Sequence, residues 1–219
     1  MVKREKMKWV EKYDRWYEEN FGKRAFQEET DLMKSFLPSK GKILEVGTGT
    51  GRFASWLEKE GYEVVGIDIS FPMLKFAREN KRVKYLIQGD AQKLPFKEKS
   101  FDGVIFITSL EYIQNPIQAL KEAYRVSRGI IFLGVLNSWS ILGISRRIKG
   151  LFSQSYCSFG TFYNPLSLKR LAKIAMDNQK FILKKIYWKT VLYPLLFPKL
   201  RFLPFGGFIG MKISFGGER

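Results

Sequence analysis

Residues 43–51 read ILEVGTGTG, and together with VVGIDIS at 64–70 and GDAQKLPFKEKSFDGVIF at 89–106 they decide the fold. The first stretch is a short apolar run that ends in three glycines spaced two apart, and residues 51–60 continue with helical periodicity. A buried strand that runs through a glycine turn into a helix brings the main chain and the positive end of the helix dipole close to a ligand. A side chain at the glycine positions would hold that ligand away from the backbone. The stretch therefore predicts a ligand site at the end of the first strand.

An acidic residue, Asp68, ends the second predicted strand (62–68), about seventeen residues beyond Gly51. A carboxylate at that strand end and distance is the usual partner of a ribose diol. The glycine spacing is G-x-G-x-G, which differs from the G-x-G-x-x-G fingerprint of dinucleotide sites. The phosphate-loop pattern is also missing, because Gly22-Lys23 and Gly41-Lys42 lack its first glycine and its hydroxyl residue. The pattern thus favours a nucleoside ligand over a dinucleotide.

In this order, the three motifs resemble those of the class I S-adenosylmethionine-dependent methyltransferases, in particular the small-molecule (methyltransferase type 11-like) branch, whose third motif runs GDA-x-x-LPF-x-x-x-SFD. The resemblance is close over roughly residues 40–135 and loose over 160–215. It implies S-adenosylmethionine as the cofactor and methyl transfer by in-line displacement to a small-molecule or lipid-like acceptor. Alternating strands and helices predict a doubly wound parallel sheet. With the resemblance, the expected fold is α/β: a Rossmann-like, seven-stranded, mostly parallel doubly wound sheet with an antiparallel C-terminal hairpin.

The resemblance also implies roles for single residues of a cofactor site. Glu45 would orient the amino group of the cofactor, with a buried structural carboxylate as the alternative. Asp68 would accept both ribose hydroxyls while Ile69 packs on the adenine. Asp90 would take the adenine amino group and the Ala91 amide would face the ring, unless Asp90 is only a turn residue. The full set of expected cofactor contacts is Tyr13, Glu45, Gly47, Gly49, Gly51, Asp68, Ile69, Asp90, Ala91 and Thr108.

No residue is assigned as a catalyst from the sequence. Thr108 lies at the predicted C-terminal end of the fourth strand, where open parallel sheets bind their ligands. Glu111 and Tyr112 stand where many relatives have Glu-His, and they are the candidates to orient an acceptor, with packing at a helix start as the alternative. The catalytic residue therefore remains unknown.

The composition excludes several kinds of chemistry, because the 219 residues contain no histidine and one cysteine, Cys157. Neither a Ser-His-Asp nor a Cys-His nucleophile can be built, and no metal site is predicted. Methyl transfer from a sulfonium tolerates this lack, because the leaving thioether needs no proton. A lone cysteine forms no internal disulfide, and no apolar run reaches the roughly 18 residues that span a bilayer. The first residues, MVKREKMKW, are charged and have no apolar segment behind them, so we expect a cytoplasmic protein without a signal peptide.

The predicted organisation is an N-terminal helical lid, residues 1–40, followed by a methyltransferase domain, residues 41–219. Within the lid, one helix is predicted over residues 3–20, with an interruption at Phe21-Gly22 before a second helix over 24–36. Ser70 is the predicted N-cap of the helix after the second strand, and the last two strands are predicted over 181–188 and 208–215. Two insertions, 138–162 and 190–207, have no counterpart in the plain fold. Tyr13 and neighbouring aromatic residues at helical spacing resemble those that cover the cofactor in relatives, although such a stripe is also typical of a core.

Charge is uneven along the chain, which has a net charge of +17. Residues 123–219 hold 16 basic residues against two acidic ones, whereas residues 1–122 hold 22 against 19. A basic half attracts anionic partners, so we expect peripheral contact with an anionic membrane, unless the lysines only keep an apolar half soluble. An RNA methyltransferase is a second hypothesis, less favoured because no Asn-Pro-Pro-Tyr-like motif follows the fourth strand. A non-catalytic, cofactor-binding partner subunit is a third, and the oligomeric state is not predicted.

Overall fold

Helices and strands alternate along the chain in the computed structural model, which describes residues 2–140, 160–177, 181–193 and 203–218. The helices are α1 (Val2–Trp16), α2 (Asn20–Phe36), α3 (Arg52–Lys59), α4 (Phe71–Glu79), α5 (Pro116–Val126) and α6 (Pro165–Met176). The strands are β1 (Lys42–Val46), β2 (Glu63–Asp68), β3 (Tyr85–Gln88), β4 (Gly103–Ile107), β5 (Ile130–Leu136), β6 (Phe181–Val191) and β7 (Phe208–Glu218). A short 3-10 helix, Leu110–Tyr112, follows β4.

All seven strands form one sheet in the order β3-β2-β1-β4-β5-β7-β6. Strands β1 to β5 are parallel, and β7 runs antiparallel to both of its neighbours, β5 and β6. The predicted fold class is therefore confirmed. The chain leaves β1 toward β3 and then returns to the other side of β1 with β4, so the carboxyl ends of β1 and β4 flank a topological switch point.

Apolar side chains cover both faces of the central strands. Ile43 and Ile105 pack on the face that meets α2 and α3, whereas Leu44 and Phe106 pack on the face that meets α5 and α6. Successive residues of a strand point to opposite faces, so a continuous apolar run is required where both faces are covered. This explains why β4 reads as an unbroken apolar stretch, and why β1 is apolar at Ile43, Leu44 and Val46 on both faces, with Glu45 as its one buried polar residue.

The N-terminal helices differ in one respect from the expected pattern. The sequence predicted one helix over residues 3–20 and an interruption at Phe21-Gly22, but α1 ends at Trp16 and Gly22 lies inside α2. A Cβ atom on Gly22 would stand 1.9 Å from the carbonyl oxygen of Trp16. Position 22 is therefore glycine because α2 passes very close to the last turn of α1, and it does not break a helix there.

The two predicted insertions are described only at their ends. Asn137 and Tyr163 form an isolated bridge on either side of the first insertion, and residues 141–159, which include Cys157, lie outside the described residues. Strand β6 continues to Val191, so the second insertion begins inside a strand, and residues 194–202 are likewise outside. In the described part of the chain, no helix is both long and apolar enough to cross a membrane.

Candidate functional site

The glycine turn after β1 follows a backbone path that side chains rarely adopt. Gly47, Gly49 and Gly51 have φ angles of 75°, 55° and 73°, all in the left-handed region that favours glycine. The Gly47 and Thr48 N–H groups donate to the carbonyl oxygen of Ile67 at 2.8 and 3.1 Å. The loop is thereby fixed to the end of β2, next to the residue that follows Ile67, Asp68.

The surroundings of the three glycines differ. A Cβ on Gly47 would lie 2.3 Å from the Cβ of Ser109, and a Cβ on Gly51 would lie 2.8 Å from Val83 Cγ2. Neighbouring protein therefore fills the space beside both residues. A Cβ on Gly49 would have no protein atom within 4 Å. Of the three glycines, Gly49 is the one that borders open space where a ligand could approach the main chain.

The carboxylate of Asp68 faces the same glycine. Its Oδ2 accepts the Gly49 N–H at 2.7 Å, and its Oδ1 accepts the Ser70 N–H at 2.8 Å. Ser70 precedes α4 as predicted, but its side chain makes no capping hydrogen bond, so Asp68 itself organises this turn. Burial raises the pKa of Asp68, while hydrogen bonds from backbone N–H groups, those of Ser70 and Gly49 among them, oppose the shift. An ionised carboxylate has about four acceptor positions, so two remain for a diol.

Ile69, the expected adenine contact, is 69% exposed directly beside Asp68. Asp90 and Ala91, also expected to reach the adenine, lie half-buried in the turn after β3. Asp90 Oδ1 accepts the Gln92 N–H at 2.8 Å and the Gln92 side-chain amide at 3.1 Å. Asp90 therefore also has the local turn role that the sequence left open.

Glu45, at the end of β1, is buried with 1% of its surface exposed. Its Oε2 accepts the Thr48 hydroxyl at 2.5 Å. Burial raises the pKa of Glu45 to about 8, and the hydrogen bonds from Thr48 and from the Ala54 backbone only partly oppose this shift. The negative charge of Asp68 adds to it. Glu45 is therefore mainly protonated at neutral pH.

Replacing Glu45 by glutamine should make stability less dependent on pH. In the folded protein the pKa of Glu45 is raised from 4.5 to about 8, so its neutral form favours folding below pH 4.5, and this contribution is lost as the pH rises through 8. The free energy of unfolding of Glu45→Gln, relative to the wild type, should increase by on the order of 4 kcal/mol between about pH 5 and pH 9. Denaturant unfolding at both pH values measures this difference. A difference that is constant with pH contradicts the assignment, and Glu63→Gln, at an exposed site, is the control.

The aromatic face of α1 reaches the end of β4. Burial raises the pKa of Tyr13, and the neighbouring hydroxyl groups of Tyr17 and Thr108 partly oppose this shift. Thr108 has a φ of 44°, which is strained for a β-branched residue. Such strain clusters at functional sites. Tyr13 and Thr108, both expected cofactor contacts, are thus brought together at the switch point.

The two catalytic candidates have different surroundings. Glu111 is 2% exposed, and its Oε1 accepts the Leu136 N–H at 2.8 Å, which secures the end of β5. Tyr112 is 48% exposed. Of the pair, Glu111 has a structural task at the sheet end, and Tyr112 is the side chain that an acceptor could contact.

One residue of this region was not predicted from the sequence. Asp14 of α1 is 4% exposed and accepts hydrogen bonds from Thr50, Arg52 and Arg82. The available signal was an acid on the apolar face of an amphipathic helix, between Val10 and Tyr17 at helical spacing.

The geometry fits a nucleoside cofactor with a methionine tail. Gly49, Asp68 and Thr108 lie at or just beyond the carboxyl ends of three adjacent strands, since Val46 of β1 pairs with Ile67 of β2 and with Phe106 of β4. The open space beside Gly49 would accept a ligand close to the main chain. Within the described ranges, no group of three His, Cys, Asp or Glu residues could hold a metal ion.

Known proteins with similar sequences and structures share this architecture. A family described as methyltransferase domain matches residues 44–133. An uncharacterized protein of Methanocaldococcus jannaschii is 38% identical over 138 residues, which cover 62% of this chain and 63% of that protein. A demethylmenaquinone methyltransferase of Streptomyces avermitilis is 38% identical over 87 residues, which cover 40% and 38%. A solved SAM-dependent methyltransferase of Thermotoga maritima has a TM-score of 0.77 at 25% identity and covers 95% of this chain and 97% of that one.

The chain spans 63% and 38% of the lengths of these two curated relatives. The family match at residues 44–133 contains the glycine loop. The structural likeness covers nearly the whole of both chains. Together these matches confirm the family and the cofactor that the three motifs indicated. The chain carries a class I S-adenosylmethionine-dependent methyltransferase domain, and its cofactor is S-adenosylmethionine.

Proposed function

We propose that this protein transfers a methyl group from S-adenosylmethionine to a small-molecule or lipid-like acceptor. The observation that carries the proposal is the pairing of Gly49 with Asp68 at the switch point. The N–H of Gly49 binds the carboxylate, and the space beside its Cα is open. A ribose held by Asp68 would therefore lie against the main chain of the loop, as the family architecture requires.

Five of the expected cofactor contacts have a task in binding the ribose, the adenine and the methionine tail. When bound, S-adenosylmethionine supplies a methyl group activated by a sulfonium centre. Asp68 holds the ribose hydroxyls, and the exposed Ile69 covers one face of the adenine. Asp90 and the Ala91 amide lie beside the adenine edge. Glu45, buried behind the loop, helps to orient the amino group of the methionine tail.

The acceptor side of the site works by positioning and by exclusion of water. The chain has no histidine that could act as a base, so the rate enhancement would come from holding the acceptor at attack distance. Tyr17 is buried and Tyr13 is half-buried beside Thr108, which supports the role of residues 1–40 as a lid over the cofactor. The exposed side chain of Tyr112 would contact the acceptor.

A lipid-like acceptor is supported by two observations. The Streptomyces avermitilis relative is named for demethylmenaquinone, which is an apolar quinone. In the basic half of the chain, the edge strand β6 exposes Lys184, Lys185 and Lys189 beside Tyr187 and Trp188, and aromatic and basic residues together suit an anionic membrane surface. Peripheral contact with such a membrane, from the cytoplasmic side, is part of the proposal.

Incubation of the protein with S-adenosylmethionine carrying a labelled methyl group, together with lipid, polar-metabolite or RNA extracts, tests the proposal. Label is expected in a molecule of the lipid or polar extract. Label in RNA would replace the proposal by the RNA methyltransferase hypothesis. Cofactor binding without label in any extract would favour a non-catalytic partner subunit. Asp68→Ala, which should lose cofactor binding, is the matched negative control.

A further inference from the structure

A buried ionic cluster joins the N-terminal helix to the glycine loop. Asp14 Oδ1 accepts the Thr50 hydroxyl at 2.8 Å, and Oδ2 accepts Nη2 of Arg52 at 2.6 Å and Nη2 of Arg82 at 3.0 Å. Nη2 of Arg52 also donates to the Asp14 carbonyl oxygen at 3.0 Å. The Asp14 side chain is 5% exposed. Three segments that are distant in sequence therefore meet at one carboxylate.

The position of the cluster links it to the cofactor site. Thr50 lies between Gly49, whose N–H binds Asp68, and Gly51, the residue before α3. A continuous path of contacts thus runs from Asp14 through Thr50 and Gly49 to Asp68. The Arg52 guanidinium also lies 5.4 Å from the centre of the Tyr17 ring, at the end of the same aromatic face that reaches Thr108.

Stability alone is a poor explanation for this cluster. Bringing an acid and two arginines out of water is costly, and a well-packed apolar contact at the same place would often be at least as stabilising. What the cluster does supply is one defined position of α1 relative to the loop, because the Asp14 carboxylate is shared by donors from both sides of Gly51. Two elements connected in this way respond to each other, and such a linkage is reciprocal.

We propose that Asp14 is a positioning residue that couples the docking of α1 to the cofactor-binding conformation of the glycine loop. This inference rests on the proposed function, since it concerns the same cofactor site. Cofactor binding at Gly49 and Asp68 stabilises the docked α1, and the docked α1 in turn raises cofactor affinity. Asp14 does not touch the cofactor itself and acts through Thr50, Arg52 and Arg82.

The test compares Asp14→Asn with Glu18→Gln. Asp14→Asn keeps the side-chain shape and removes the shared charge, whereas Glu18 contacts the same Arg52 at 3.4 Å from a side chain that is 61% exposed. Calorimetry with S-adenosylhomocysteine should show an affinity at least about tenfold lower for Asp14→Asn and within about twofold of wild type for Glu18→Gln. The added ligand should slow deuterium exchange of residues 7–17 in the wild type and do so much less in Asp14→Asn.

The outcomes separate this inference from the proposed function. Failure of the wild type to bind S-adenosylhomocysteine overturns the proposed function and the coupling with it. A wild type that binds, with a folded Asp14→Asn of equal affinity and equal ligand-induced protection, overturns the coupling alone. A lower melting temperature of Asp14→Asn without a change in affinity also overturns it, because that is a purely structural role. If Asp14→Asn does not fold, Arg82→Gln decides: a threefold or greater loss of affinity supports the coupling, and a smaller change overturns it.

Discussion

Replacing Asp68 by alanine is expected to weaken the binding of S-adenosylmethionine by roughly 30- to 150-fold. The variant loses the carboxylate that we assign to the two ribose hydroxyls, and hydrogen bonds to a charged group contribute on the order of 2–3 kcal/mol. It also frees the Gly49 N–H, which Asp68 holds at 2.7 Å, so the loop itself is less defined. Isothermal calorimetry with S-adenosylhomocysteine measures the loss directly.

Asp102→Asn is the matched control for this variant. Asp102 likewise accepts a backbone N–H, that of Lys42 at 2.8 Å, and pairs with Arg128 at 2.6 Å. It lies at the start of β4, at the opposite end of the sheet from Asp68. We expect it to lower stability and to leave cofactor affinity unchanged. Wild-type affinity in a folded Asp68→Ala would remove the ribose assignment.

The second large effect is expected from Gly49→Val. Its branched side chain would occupy the open space beside Gly49 and would force a β-branched residue into a backbone with a φ of 55°. Cofactor affinity should fall by at least roughly 100-fold, about 3 kcal/mol, from overlap with the ligand and distortion of the loop.

Gly61→Val separates the two causes. Gly61 has a φ of 91°, and a Cβ there, as on Gly49, would have no protein atom within 4 Å, but Gly61 lies in the turn before β2, away from the site. Both variants therefore carry backbone strain of about 1–2 kcal/mol, and only Gly49→Val should lose binding. Equal cofactor affinities of the two folded variants would show that the ligand does not lie where we place it.

The fold could be predicted from the sequence because its central elements have strong local signals. The apolar run of β4, from Gly103 to Ile107, is buried at every position. A continuous apolar run of this length predicts a central strand that is covered on both faces. The ends of strands at the edge of the sheet were less predictable. Strand β6 was expected to end at Trp188 but continues to Val191, since Lys189 and Thr190 still pair with Gly210 and Ile209 of β7. The length of β6 is therefore determined by its pairing with β7 and not by its own composition.

The candidate site was predictable to the extent that its residues lie close to a motif. Gly49 and Asp68 could be chosen because strand ends and glycine turns are visible in the sequence. Asp14 could not be, because its three donors are 36, 38 and 68 residues away in the chain, and only the packing angle of α1 brings them together. The role of Gly22 was misread for a similar reason. Glycine signals either a turn or a close contact, and the sequence does not tell which of the two applies.

Binding of S-adenosylhomocysteine and of NAD to the wild-type protein tests the cofactor assignment most directly. Calorimetry of each ligand at the same protein concentration gives stoichiometry and affinity without the need for an acceptor. We predict that S-adenosylmethionine and S-adenosylhomocysteine bind at a one-to-one ratio, and that NAD shows no saturable heat, because the loop has the G-x-G-x-G spacing. Saturable binding of NAD, with none of S-adenosylhomocysteine, would contradict the central claim.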